Sequence, residues 1–283
     1  MNILIMQSAG KHKKNSDFRE CLSFQRGLSF CGVRSEVYGP GYRYFGKVNF
    51  NDYDTILYLE NYWKNYWFPD LSSHKGLKLF WSIDSHIVYR RHIDFVRRNN
   101  IDIVLCSNLR DTLKWGKKSF WFPNCYDNTL IDFFPEIKKK YDIGFCGNYV
   151  NRTNYINELE KDFRIKLDIF VIGKSMVNAI NSYKIHWNKC YSYDLNYRIF
   201  ETLGCKTFLL TNENSDLEKL FTVDKDLITY KDYEDCKKKI KYYLQNEAER
   251  NRIAYNGFEI VRKNHTYKSR AEKLIEIIKT NSK

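Results

Sequence analysis

Asp142-Ile143-Gly144-Phe145-Cys146-Gly147-Asn148 is the stretch on which the reading of the fold turns. A short apolar run ends in a Gly-Asn turn, and a helical pattern follows over residues 153–163. A second apolar run, 167–172, closes at Gly173. Strand, turn, helix and strand in that order make a βαβ unit. Strands of parallel sheets are covered on both faces, so they read as short apolar runs rather than as alternating ones.

The same alternation extends in both directions. Downstream, the pattern predicts strands at 184–187 and 207–210, with a helix over 196–203 stopped by Gly204 between them. Helices over 234–245, 247–264 and 267–278 complete the chain. Upstream, strands are expected at 2–7, 35–38, 55–59, 77–83, 101–106 and 119–122. A helix capped by Ser16 or Asp17 and ended by Gly32 follows the first strand, and a helix over 86–98 follows the fourth. The expected class is α/β, as two doubly wound, Rossmann-like domains covering 1–138 and 139–283, divided near Lys138-Lys139-Lys140. Such sheets bind ligands at the carboxyl ends of their strands, so the two domains are expected to face each other across a cleft.

Composition narrows the class. The 283 residues are 43% hydrophobic and contain no apolar run long enough to span a bilayer. Met1 to Met6 is too short for a signal sequence and is followed by Lys11, Lys13 and Lys14, so it reads as a first buried strand. None of the eight cysteines forms a C-x-x-C pair, and most sit in apolar runs; buried free thiols in a reducing, cytoplasmic compartment are expected. The six histidines are too dispersed to complete a zinc site. The net charge is +13, and residues 1–140 carry 22 Lys and Arg against 14 Asp and Glu. Such a balance attracts polyanions: a nucleotide diphosphate, a nucleic acid or another anionic polymer. A lysine-rich solvated surface accounts for it equally well.

Asn196-Tyr197-Arg198-Ile199-Phe200-Glu201 opens a helix directly after a strand end. Free N–H groups and the helix dipole there favour a phosphate, and Arg198 and Glu201 share a helix face. Glu201, one turn in, can accept hydrogen bonds from ribose hydroxyls; the plain alternative is a surface ion pair.

Several segments carry a resemblance: Tyr183-Lys184-Ile185-His186-Trp187-Asn188, Arg198-Ile199-Phe200-Glu201 with Gly204, Arg252-Ile253-Ala254-Tyr255-Asn256-Gly257, and His265-Thr266-Tyr267 with Arg270. In order and spacing these resemble the C-terminal half of the CgeB-like, spore-maturation-type glycosyltransferases of group 1. The stretch from Asp142 to Asn148 with Arg152 fits the start of that domain, and Trp81-Ser82-Ile83-Asp84-Ser85-His86 fits the first half more loosely. The resemblance implies a GT-B fold with the nucleotide-sugar donor, a UDP-hexose, bound by the C-terminal domain, and a final helix that packs back toward the N-terminal one. It places Glu201 on the donor ribose. Many retaining relatives carry a further glutamate where this chain has Tyr193, followed by Asp194, so the stereochemical outcome stays open.

The remaining candidates follow. Gly147 and Asn148 would let a ligand approach the first strand end of the donor domain. Arg152 and Arg198 are candidates for the diphosphate, because a guanidinium forks onto phosphate oxygens, with Lys174 a weaker third. Asp84 or His86 would take the acceptor's proton, unless Asp84 or Ser85 simply caps the next helix. Lys11, Arg90 and Arg91 are candidates for an anionic acceptor such as hydroxymethylated DNA. His265, Thr266, Tyr267 and Arg270 are expected to be structural. Asp52-Tyr53-Asp54 precedes a strand and Asp224-Lys225-Asp226 lies in a turn; neither follows a strand at an expected cleft, so no metal is expected. Two other classes remain: a non-enzymatic nucleic-acid-binding protein, and a degenerate family member acting structurally in a spore or surface layer.

Overall fold

The computed structural model describes residues 1–59, 67–115 and 118–281. The chain forms two compact units. The first holds β1 (Asn2–Met6), α1 (Glu20–Phe30), β2 (Arg34–Tyr38), β3 (Thr55–Leu59), β4 (Leu77–Ser82), α2 (Ser85–Arg98), β5 (Ile103–Cys106), α3 (Leu109–Thr112) and β6 (Lys118–Trp121). The second holds β7 (Tyr141–Gly147), α4 (Thr153–Glu160), β8 (Ile165–Ile169), α5 (Lys174–Asn181), β9 (Tyr183–Trp187), α6 (Tyr197–Gly204), β10 (Phe208–Asn212), β11 (Ile228–Tyr230), α7 (Tyr233–Gln245) and α8 (Glu247–Asn264). The last helix, α9 (Tyr267–Asn281), belongs to the first unit.

Each unit is built on one parallel sheet. The first has strand order β2-β1-β3-β4-β5-β6, the second β11-β10-β9-β7-β8. The central strands of the first sheet are buried on both faces, as their apolar sequences require; Ile3, Leu4, Ile5, Leu79, Phe80 and Trp81 are all inaccessible. Trp81 donates its indole N–H to the Phe122 carbonyl at 2.9 Å, which satisfies its one polar atom inside the core.

The units divide at Pro123 and Asn124, and at Thr266 and Tyr267. Residues 124–138 have almost no regular structure, so no periodicity marks the division; their contacts tie them to the second unit. Asn124 donates to the Leu195 carbonyl at 2.8 Å, and the Phe134 N–H to Asn181 Oδ1 at 3.1 Å. Lys139, in the basic run, donates to Thr207 Oγ1 at 2.6 Å. In the first unit α9 lies on α1. Tyr267 packs edge-on against Phe24 at 5.3 Å, and a side chain at Gly27 would fall 2.5 Å from the Tyr267 carbonyl oxygen. Arg270 donates to the Pro123 carbonyl at 2.7 Å.

Local details depart from expectation in three places. A 3-10 turn, Lys13–Phe18, precedes α1, which therefore starts at Glu20 rather than at Ser16 or Asp17. Gly204 does not stop α6; it is the last helical residue, and Lys206 takes the left-handed conformation at φ 50. Gly204 is required for packing instead: an added Cβ would sit 2.4 Å from the Tyr126 ring. The short elements α3, α5 and β11 had no clear periodic signal. Gly32 does end α1, at φ 70, with Val33 N–H bonded to the Leu28 carbonyl at 3.0 Å and Gly32 N–H to that of Ser29 at 3.0 Å.

Candidate functional site

In the second unit the candidate residues collect along one edge of the sheet, on the loops that leave the carboxyl ends of β7, β8 and β9. Arg198, in the first turn of α6, organises this edge. Its Nε donates to the carbonyl of Cys146 on β7 at 2.9 Å, and its Nη1 pairs with Glu201 one turn along. The side chains of Arg198 and Glu201 are 21% and 13% exposed, which distinguishes the pair from an ordinary solvated one. Only Oε2 of Glu201 is engaged by Arg198.

Beneath this pair sits His186 on β9, fully buried. Its Nε2 accepts the Cys146 N–H at 3.2 Å, so Nδ1 carries the proton and faces Thr202 Oγ1 on α6 at 2.5 Å. Burial first, then the positive charges of Arg198 and Lys139, push its pKa down to about 3. The ring is therefore a neutral spacer joining β9, β7 and α6, and both backbone groups of Cys146 are spoken for: N–H by His186 and C=O by Arg198.

Asn196 occupies the N-cap of α6, yet its side chain makes no capping bond. Its Nδ2 turns to Asn188 Oδ1 at 3.1 Å, and its buried Oδ1 has no hydrogen-bond partner among the described residues. The head of α6 is thus left uncapped by its own N-cap residue. Arg152, at the N-cap of α4, donates Nε to the Lys189 carbonyl at 2.8 Å and Nη1 to the Asn148 carbonyl at 2.9 Å. It clamps the loop after β7 to the loop after β9. A Cβ at Gly147 would meet only Phe145 Cζ, at 3.5 Å, so the strand end is open. Lys174 begins α5 directly after Gly173 and is exposed. Tyr193 is partly buried and Asp194 buried.

Sequence reasoning missed His186, Thr202, Asn188 and Lys189. Lys189 lies beside Arg152 with its ammonium 4.2 Å from the centre of the Tyr155 ring. A polar His within an apolar strand, 16 residues before Thr202, was the available signal for the buried network.

In the first unit, Asp84 and His86 flank the start of α2 at the carboxyl end of β4. Asp84 is the N-cap but makes no side-chain capping bond, and it adopts the left-handed conformation at φ 51. That conformation is uncommon outside Gly, Asn and Asp. Ser85 is no cap either: its hydroxyl donates to buried Asp111, which also accepts from Asn108 Nδ2 at 2.9 Å and Lys114 Nζ at 2.8 Å. His86 is partly buried, and that burial lowers its pKa against the opposing pull of Asp84. Arg90, Arg91, Arg97 and Arg98 are all exposed on α2, and Lys11 is exposed on the loop after β1. Asp54 lies at the amino end of β3, where its Oδ2 accepts the Asn2 N–H at 2.8 Å. Asp226 accepts the Thr222 N–H at 2.8 Å within its own turn. All eight cysteines are free. Among the described residues, no helix is long and apolar enough to cross a membrane.

Comparison with known proteins gives the same architecture. The chain is similar to sucrose-phosphate synthase from Thermosynechococcus elongatus, with TM-score 0.71 at 10% identity, covering 99% of this chain and 98% of that one. It is similar to HepE of Anabaena, solved with UDP and glucose, with TM-score 0.65 at 12% identity, covering 99% and 100%. It is likewise similar to an alpha-glucosyltransferase solved with UDP and a 13-mer DNA containing an HMU base, with TM-score 0.65 at 12% identity, covering 99% and 99%. The fold is thus that of the GT-B glycosyltransferases. No curated protein matches the chain. The glycosyl transferase-like family model matches residues 131–276, and the chain belongs to that family.

Proposed function

We propose that the protein transfers a hexose from a UDP-sugar to an acceptor hydroxyl, with the donor held by the second unit. The observation that carries this reading is the Arg198–Glu201 pair at the uncapped head of α6, at the carboxyl edge of the sheet. A diphosphate there would meet the helix dipole, the α6 N–H groups and the remaining donors of Arg198. Glu201 Oε1 stays available for a ribose hydroxyl. Arg152 and Lys174 would add positive charge, and Gly147, Asn148 and Asn196 would contact the donor through backbone and amide groups. These groups neutralise a leaving diphosphate without a metal ion, because preorganised donors act most strongly where charge develops.

Asp84 or His86 would take the acceptor's proton. Asp84 is held in a left-handed conformation without capping the helix, and depressed basicity keeps His86 neutral and able to accept a proton near neutral pH. The acceptor is anionic, hydroxymethylated DNA being the form that best suits the charge, with Lys11, Arg90 and Arg91 on its path. The CgeB-like resemblance is compatible with this reading. Titration with UDP and UDP-glucose in EDTA, against Glu201→Ala, tests it: heat of binding in the parent and none in the variant is expected. Absence of binding to UDP and to GDP, ADP and dTDP alike would overturn it.

A further inference from the structure

The carboxyl edge of the first unit carries a surface that the donor and proton-transfer residues do not use. β2 and β1 are neighbours in the sheet, so the segments following them emerge side by side. The segments after β1 and β2 are joined: Gln7 N–H bonds to the Tyr38 carbonyl at 3.1 Å and Ala9 N–H to the Pro40 carbonyl at 3.0 Å. A side chain at Gly41 would lie 2.7 Å from Ala9 Cβ, and Cys21 Sγ meets the Tyr42 hydroxyl at 3.1 Å. Two loops remote in sequence thus make one surface.

That surface is basic and aromatic together. Residues 7–18 and 39–51 contain Lys11, Lys13, Lys14, Arg43 and Lys47 against one acid, Asp17. All five cations are exposed. Among the described residues, the lysines have no side-chain hydrogen bond or ion pair, and Arg43 lies only over the Tyr44 ring, at 5.6 Å. Behind them runs a chain of rings: Phe50 to Tyr38 at 5.2 Å, Tyr38 to Phe45 at 5.3 Å, and Phe45 to Trp67 at 6.0 Å. Phe45, between Tyr38 and Trp67, is its exposed member, 38% accessible. The inner rings hold Phe45 in place, so a flat group stacking on it would lose little freedom to a moving side chain.

We infer that this surface binds a phosphodiester strand with an unstacked base, the cations following the backbone and Phe45 taking the base. A sulfated or carboxylated polymer would satisfy the cations but leaves the presented ring unexplained; a duplex keeps its bases stacked away from Phe45. The inference deepens the acceptor part of the function proposed above and rests on it only for the purpose of the contact, not for its existence.

The test is fluorescence anisotropy of the full chain with a labelled oligo-dT of about 15 nucleotides, a length one such track spans. It is run against a duplex of equal length and against heparin, over a range of salt. Single-strand binding is expected, with a log–log salt slope that falls in magnitude by roughly 0.7 for each cation removed, so by about 2 in Lys13→Ala/Lys14→Ala/Arg43→Ala. Phe45→Ala is expected to weaken binding by roughly 5- to 100-fold with the slope unchanged. Lys75→Ala/Lys118→Ala, at the amino edge of the same sheet, controls for general positive charge and should bind like the parent. Equal loss in that control, tighter binding of duplex or heparin, indifference to Phe45→Ala, or no binding at low salt would each overturn the inference. UDP titration of the same variants separates the two proposals: intact UDP binding without strand binding removes this surface and leaves the donor site standing.

Discussion

Arg198 and Cys146 are 52 residues apart in sequence, yet the guanidinium Nε of the one donates to the carbonyl of the other at 2.9 Å. The bond fixes the head of α6 to the end of β7, the two places where a bound diphosphate would be contacted. It also leaves the guanidinium turned toward Glu201.

Glu201→Ala is expected to abolish UDP binding and to lower stability by about 1–3 kcal/mol, because it removes a charge-assisted hydrogen bond and leaves Arg198 partly buried without its counter-ion. Glu201→Gln should retain most of the stability and lose most of the affinity. Urea unfolding beside UDP titration checks both halves.

His186 makes stability depend on pH. Unfolded, its imidazole titrates at the ordinary 6.5; folded, only at about 3. Between those values the unfolded chain binds a proton that the folded chain refuses. The stabilising contribution is therefore complete above pH 6.5 and is lost as pH falls toward 3, at about 1.4 kcal/mol per pH unit for one such group. Buried His92, with its pKa pushed down to about 4, acts in the same direction. Urea midpoints measured across this range should fall less steeply in His186→Gln than in the parent, although the variant starts lower.

Two glycines should respond differently to Ala. At Gly204 the added methyl meets the Tyr126 ring at 2.4 Å, and overpacking of about 1–3 kcal/mol is expected. Nothing lies within 4 Å at Gly32, whose only demand is φ 70, so its cost should be roughly 1 kcal/mol. Thermal unfolding of the two variants gives the order.

Asp84→Asn keeps a side chain that tolerates the left-handed conformation and removes the carboxylate. His86→Gln removes the imidazole. The variant that lacks the base should show kcat lower by roughly 10²–10⁴ with UDP affinity unchanged. With His86 as the base, the rate should fall with acidity only below the ordinary histidine range, since its pKa is lowered by burial.

On the proposed reading, activity should survive EDTA and gain nothing from added Mn²⁺, because Arg198, Arg152 and the α6 N-terminus would supply the positive field at the diphosphate. Loss in EDTA and recovery with Mn²⁺ would contradict this.

Much of the architecture is legible in the chain because it is local. The apolar runs within β1, β3, β4 and β7 are the buried parts of those strands, and the helix over Tyr233–Gln245 starts where Asp232 caps it by accepting from the Asp235 N–H at 2.9 Å. The i, i+3 spacing puts Arg198 and Glu201 on one face before any tertiary contact forms. Elements as short as α3 and β11 escape such reading, since four or three residues cannot establish a period.

The sequence by itself determined the parallel α/β class, most strands and long helices, and the placing of Arg198 and Glu201 on one face of α6. Only the tertiary structure decided that β7 lies between β9 and β8, that the returning last helix, expected from the resemblance, docks on α1, and that Asp84 leaves its helix uncapped. It alone joined His186, Cys146, Thr202 and Arg198 into one buried network, and set the loop after β1 against the loop after β2. The physical reason is range. Periodicity and capping are fixed by neighbours within a turn or two, whereas these contacts join residues that become neighbours only when burial of the strands brings their ends together.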